Sequence, residues 1–240
     1  MTGERKEALR GWRRRTREAL RAPVLRLRPV PDVDPGWFGG RVLLVGNART
    51  LRPPAFEPAA LEAPGLKAPG LETSGLGDFD TVVRFNRAPS LAPLPGRTDV
   101  LATGIPLSRA EERRIRPGAV AWLAPSVAKL PLRWLLGPRP PLGLFGDEAR
   151  GRLCAAIGVA VPSSGAMGVW LALRAAERTG HAPHVVGFDG FRSGTLSGRR
   201  KAAWGPHDFE RERAWMEGLA RDGRIVWHRA SDGASDPSQM

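Results

Sequence analysis

The chain has 240 residues, 42% of them hydrophobic, enough to bury the core of one large α/β domain or two small ones. Its 37 Lys/Arg against 24 Asp/Glu leave a net charge of +13, and residues 1–28 alone hold ten Lys/Arg against three Glu, a net +7. The single cysteine, Cys154, excludes an intrachain disulfide and fits a reducing, cytoplasmic compartment, while no apolar run approaches the ~18 residues of a membrane span and no signal-peptide core follows the basic start.

Residues 4–21 read as a helix, with Leu9, Trp12, Ala19 and Leu20 near one face and arginines around the rest. Pro23 stops it. Such a helix suits peripheral contact with an anionic membrane surface as well as it suits a plain solvated arm. Residues 22–40, with Pro23, Pro29, Pro31 and Pro35, read as a linker, so the main domain is expected over 41–229.

That domain opens with Arg41–Gly46, a run of apolar residues that suits a parallel strand covered on both faces. It ends at Gly46-Asn47, and in open α/β sheets ligands bind where such strands end; taken alone, the stretch reads first as a core strand stopping at a turn. Leu61-Glu-Ala-Pro-Gly, Leu66-Lys-Ala-Pro-Gly and Leu71-Glu-Thr-Ser-Gly then repeat with a period of five, which matches neither helix nor strand. Residues 61–76 are expected to be a low-complexity loop.

Regular patterning resumes with strands over 80–85, 99–103 and 119–123 and a helix over 146–157, on whose buried face Cys154 reads as an inert core thiol. Pro162-Ser163-Ser164-Gly165 leads into a strong helix over 166–179, closed by Gly180. A strand over 184–188, a helix over 207–221 and a strand over 224–227 follow, and the tail from residue 230 is expected to be disordered. Strands alternating with helices predict a single α/β domain built on one mostly parallel sheet.

Three polar stretches sit at element ends. Gly46-Asn47 and Arg84-Phe85-Asn86 each follow a strand; the asparagine amides suit a phosphate or ribose, although asparagine there is also an ordinary turn residue. Ser163, Ser164 and Gly165 open a helix, where free backbone N–H groups and the dipole favour an anion, and where serine is also a standard cap. His207 stands at a helix start, a setting that disfavours imidazolium and leaves a neutral base. Glu212 is five positions on, about 140° around the helix, so it is not expected to face His207. No Cys/His cluster, H-E-x-x-H or EF-hand loop is present, so neither metal nor another cofactor is expected. G-x-G-x-x-G after the first strand, a P-loop lysine and a G-x-S-x-G elbow are likewise absent. Nucleic-acid binding is not expected, because the basic excess lies in the arm.

In their order, these stretches resemble the sialyltransferases of glycosyltransferase family 29. Val45-Gly46-Asn47, Asp78 through Pro89 and Gly96-Arg97-Thr98-Asp99 look like the large sialylmotif; Pro162-Ser163-Ser164-Gly165 through Val185-Val186-Gly187-Phe188 looks like the small one; His207 through Glu212 matches the very small motif, H-x4-E. The resemblance spans about residues 41–227. It implies a Rossmann-like, variant GT-A-type glycosyltransferase fold. It also implies inverting, metal-independent transfer from a CMP-sugar to a glycan or glycolipid hydroxyl, with CMP-sialic acid the leading donor and CMP-Kdo the second.

Carried over by residue, Asn47 and Asn86 contact CMP, Ser163, Ser164 and Gly165 bind the donor, and His207 is the general base. Gly46, Arg84, Gly187, Trp204 and Glu212 support the site. Two departures stand out. Animal members carry a disulfide between the large and small motifs, whereas Cys154 is alone, as in a bacterial-type cytoplasmic enzyme. The family's His/Tyr-rich motif is replaced by Lys201-Ala202-Ala203-Trp204-Gly205, and the chain contains no tyrosine to hold the donor phosphate. A non-catalytic nucleotide- or nucleic-acid-binding protein on the same fold is the alternative reading.

Overall fold

The computed structural model describes residues 19, 23–24, 29–48, 78–90, 97–136, 140–192 and 206–228. Apart from Ala19, the expected helix over 4–21 lies outside them, as do the repeats at 61–76, Trp204 and the tail from residue 230.

Strands β1 (Val42–Val45), β2 (Thr81–Phe85), β3 (Val100–Thr103) and β4 (Ala119–Trp122) are buried at every position, as their near-continuous apolar sequences require. With β5 (Leu142–Leu144), β6 (His184–Val186) and β7 (Val226–His228) they form, among the described residues, one seven-stranded sheet in the order β5-β4-β3-β2-β1-β6-β7. Every pairing is parallel. The expected α/β class is therefore correct, and the sheet is wholly parallel. From β1 the chain steps outward as far as β5, then returns to lay β6 against the other side of β1. The direction of winding thus reverses between β1 and β6, and the crevice at the carboxyl ends of those two strands is the place such sheets use for ligands.

Among the described residues five α-helices connect the strands: α1 (Arg109–Ile115), α2 (Leu132–Leu136), α3 (Asp147–Ile157), α4 (Ser164–Thr179) and α5 (Phe209–Arg221). On one face of the sheet Leu44, Val83, Phe85, Ala102 and Val185 pack with Leu153 of α3, Val169 and Leu173 of α4, and Met216 and Leu219 of α5. The main core lies there, each large apolar side chain contributing about 1.5–3 kcal/mol by its removal from water. On the other face Leu101 packs with Leu107, Ile115 and Trp134, and Trp122 with Leu130 and Leu135.

Several boundaries move. The helix expected from residue 166 begins at Ser164, capped by Ser163, and the one expected from 207 begins at Phe209, capped by Asp208. The strand expected over 184–188 ends at Val186, because Gly187 turns into the left-handed region at φ 71°. The last strand runs Val226–His228 rather than 224–227. Cys154 is only half-buried, its Sγ 3.6 Å from the Ala160 carbonyl. Residues 31–38, read as linker, belong to the packed body. The Leu144 N–H donates to Pro31 O and the Val33 N–H to Leu144 O, at 2.8 and 2.9 Å, while Phe38 is 0% exposed within the main core.

Candidate active site

The crevice is built by two glycines. Gly46, after β1, donates its N–H to Val186 O at 2.8 Å, and Ala48 donates to Gly187 O at 3.1 Å. A Cβ on Gly46 would stand 2.2 Å from the Gly187 carbonyl oxygen, so only glycine lets the two strand ends run this close. Between these bonds sits Asn47. Its Oδ1 is buried and has no hydrogen-bond partner, an arrangement that costs free energy until something donates to it.

Asn86, after β2, adopts φ 52°, the left-handed conformation that asparagine tolerates better than most residues. Its Oδ1 accepts from Thr103 Oγ1 (3.2 Å) and from the Gly104 N–H (3.1 Å), tying the end of β2 to the end of β3. The turn role weighed for this residue is therefore real for its oxygen. No described residue accepts from its –NH2.

The amino end of α4 closes the other wall. Ser164 lies against the end of β3, its Oγ 3.8 Å from where a Gly104 Cβ would stand. Gly165 is packed by Phe188, whose ring would come within 2.7 Å of a Cβ there, and that ring meets Phe85 edge-on at 5.4 Å. Ser163 caps the helix, its Oγ accepting from the Ala166 N–H at 3.2 Å. Its own donors are both spent on one carboxylate: the Ser163 N–H and O–H reach the two oxygens of Glu212, each at 2.5 Å. Among the described residues the N–H groups of Ser164 and Gly165 are left as the open donors of this helix end.

Glu212 is therefore a clamp between α5 and α4, its oxygens bonded to Ser163 rather than to His207. Burial pushes its pKa up, opposed by the two Ser163 bonds and by nearby His207. His207 is held by the same segment: its Nδ1–H donates to the Val161 carbonyl at 3.1 Å. A carbonyl can only accept, so in the neutral imidazole the lone pair lies on Nε2. His207 borders an open groove of about 880 Å³ lined by Phe191, Arg192, Phe209 and Arg213 among others, with the Phe191 and Phe209 rings stacked 5.1 Å apart.

The structure thus brings Gly46, Asn47, Asn86, Ser163, Ser164, Gly165 and Gly187 to one edge of the sheet, with His207 and Glu212 tied to the 161–163 segment beside it. Arg84 is different. It alternates with Val83 and Phe85, so its side chain rises on the face opposite α4; it is 2% exposed, and burial lowers its pKa to about 10. Gly104 and Val161 contribute to this edge and were passed over in the sequence reading. Gly104 follows a strand as Gly46 does, and could have been found by that pattern; Val161 acts through its carbonyl and carries no such signature. Among the described residues no three His, Cys, Asp or Glu side chains gather as a metal site, and no helix is long and apolar enough to cross a membrane.

A wholly parallel sheet with helices on both faces defines a doubly wound α/β protein. Structural comparison finds similarity to a crystal structure of a mammalian sialyltransferase, at 15% identity, covering 79% of this chain and 69% of that one, with a TM-score of 0.49. A second, of a mammalian sialyltransferase in complex with Gal-beta-1-3GalNAc-ortho-nitrophenol, gives the same identity and coverage and a TM-score of 0.48. No family model matches the chain, and no curated protein matches it.

Proposed function

We propose that the chain is an inverting, metal-independent glycosyltransferase that moves a sialic-acid-type sugar from a CMP-sugar to a hydroxyl of a glycan or glycolipid. The observation that carries this reading is His207. Its Nδ1 is committed to Val161 O, so Nε2 is the basic atom, and the same segment leads directly into the α4 amino end. Nε2 takes the proton of the acceptor hydroxyl as its oxygen bonds to the anomeric carbon. The bond from that carbon to the phosphate oxygen breaks, and CMP departs with the electron pair. The open N–H groups of Ser164 and Gly165, with the helix dipole behind them, meet the charge growing on that phosphate. Asn47 and the –NH2 of Asn86 hold the nucleoside part. Ser163 and Glu212 act one step back by fixing the distance between helix end and base, since the polar atoms of Ser163 are already engaged.

Mass spectrometry of the products, after incubation with CMP-sialic acid or CMP-Kdo and a panel of glycan acceptors, tests the reading. A transferred sugar that disappears in His207→Ala supports it; no transfer from either donor to any acceptor overturns it. The absence of tyrosine favours a second reading, a nucleotide-binding protein without turnover, which predicts thermal stabilisation by CMP and no product.

A further inference from the structure

We propose that the stacked rings of Phe191 and Phe209 are a platform for an uncharged hexose, which they hold with one hydroxyl at His207 Nε2. The proposal rests on the transferase reading and names the acceptor class that site would select. The groove beside His207 is open and about 880 Å³ in volume, and both phenylalanines stand half-buried in its wall. Neither belongs to the main core. One of them is held in place at a cost. Phe191 sits at φ 69°, directly after Gly190 at φ 66°. Glycine adopts that region freely, whereas a bulky side chain rarely does. The turn lays Phe191 on the start of α5, its ring 5.1 Å from that of Phe209 with the planes 20° apart. Backbone strain of this kind gathers where a ligand is gripped.

The run of rings continues to the base. His207 lies 5.7 Å from Phe209, tilted by 59°, and among the described residues its Nε2 has no hydrogen-bond partner. A sugar resting on the phenylalanines is therefore one aromatic ring away from the atom that takes its proton. Charge chooses the class of sugar. Arg213 pairs with Glu217 at 3.1 Å and Asp208 with Arg211 at 3.3 Å. Arg192 and Glu210 complete the charged lining, one of each sign. The wall thus holds no surplus cation to recognise a carboxylated or phosphorylated sugar, and its charged rim does not suit an acyl chain. The face of a phenyl ring is the negative end of its quadrupole and attracts a row of C–H groups. A hexose whose axial positions on one face all carry hydrogen presents that row.

Saturation-transfer NMR of the full-length chain with methyl β-galactoside, methyl β-glucoside and lactose, and with methyl β-glucuronide as the charged counterpart, is the test. Binding of a neutral glycoside through its ring C–H protons is expected, with the glucuronide no tighter. Phe209→Ala should weaken that binding about two- to tenfold, and Phe209→Leu, which keeps apolar bulk but no ring face, should weaken it too. Phe191→Gly should weaken it while leaving the chain at least as stable, because glycine relieves the strain; a ring kept only for packing would lose stability there. CMP titration should be unaltered in these variants, and in turnover with CMP-sialic acid they should raise the acceptor KM. No binding of any neutral glycoside, tighter binding of the glucuronide, or binding unchanged in the phenylalanine variants overturns the proposal. Sugar binding that depends on the two rings, without transfer from any CMP-sugar, keeps the platform and removes the transferase reading. Transfer with an acceptor KM unmoved by the variants does the reverse.

Discussion

The two ends of the parallel sheet are built on opposite terms. At the amino end most polar groups are matched, with Thr98 Oγ1 the buried exception among the described residues. Asp80 accepts the Arg41 N–H at 2.7 Å, Asp99 accepts the Val82 N–H at 2.7 Å and the Arg97 Nε–H at 2.8 Å, and Thr81 Oγ1 donates to Gly39 O at 2.8 Å. At the carboxyl end, matching is incomplete. Asn47 Oδ1 is buried without a partner, Asn86 is held at φ 52°, and the first-turn N–H groups of Ser164 and Gly165 are open. Stability is invested where the strands begin, and unspent hydrogen-bonding capacity is kept where they end. Substitutions at the two ends should therefore separate: carboxyl-end changes alter binding and turnover, amino-end changes alter stability.

The largest effect is expected at His207. Replacing it with Ala removes the only proton acceptor assigned to the acceptor hydroxyl, and general-base catalysis is typically worth about 10²–10⁴-fold in rate. Single-turnover measurements with a CMP-sugar should show a loss of that order, with the CMP titration unchanged, because Nδ1 anchors the ring to Val161 rather than to the nucleotide site. Undiminished transfer would remove His207 from the mechanism.

Asp99→Ala should do the reverse. It strips the partner from the Val82 N–H within a buried strand and from Arg97 beside it, at a cost of about 1–3 kcal/mol. Denaturant unfolding should report that loss, while kcat and the CMP affinity of the folded fraction stay unchanged. A fall in kcat without a fall in stability would contradict the division of labour between the two ends.

How much of this was legible in the chain depended on how local each feature is. Arg41–Asn47 reads as a buried strand because a continuous apolar run meets a glycine. That it neighbours β6 rests on a pairing of Leu44 with Val185, 141 positions apart, which no local pattern carries. β5 was missed altogether: Leu142-Gly143-Leu144 is too short to show a period. It exists because Gly143 admits the passing chain, where a Cβ would come within 2.6 Å of Val33 Cα. α1 was missed because charges fill it, although Ser108 and Glu111 spell a capping box that the structure forms. At the site, residue types and order were readable, but the partition of roles was not. Ser163 looked like a donor ligand until Glu212, 49 positions away, was found holding both its polar hydrogens.

Asn47→Ala sharpens the contrast from the carboxyl side. If its buried oxygen is held for a ligand, removing it should not weaken the free protein; relief of an unsatisfied buried acceptor predicts a chain as stable or more stable by up to about 1 kcal/mol. CMP affinity, read by calorimetry, should nevertheless fall. A destabilised free protein with normal CMP binding would make Asn47 an ordinary structural residue and would leave Asn86 to define the nucleotide side alone.

The smallest expected effect probes a contact between two imidazoles on neighbouring strands. His184, on β6, and His228, on β7, stack with ring planes 24° apart, and His184 Nδ1 lies 3.0 Å from His228 Nε2. One nitrogen of that contact must donate and the other accept, so the pair is bonded only while at least one ring is neutral. Phe79 packs edge-on against His184 at 5.1 Å, and the guanidinium of Arg41 lies over the Phe79 ring. Burial first, then His228 and Arg41, depress the His184 pKa from 6.5 to about 4. The unfolded chain therefore takes up a proton near pH 6.5 while the folded chain resists until about pH 4. The pair's contribution is fully present above pH 6.5 and is lost as pH falls through that window. Half-exposure of His184 moderates the size of the slope. In His184→Asn the amide still bonds His228 but does not titrate, so the difference in stability between wild type and variant should shrink as pH drops from 7 to 4.5. A difference that stays constant over that range would remove the pair as a pH-dependent contribution to stability.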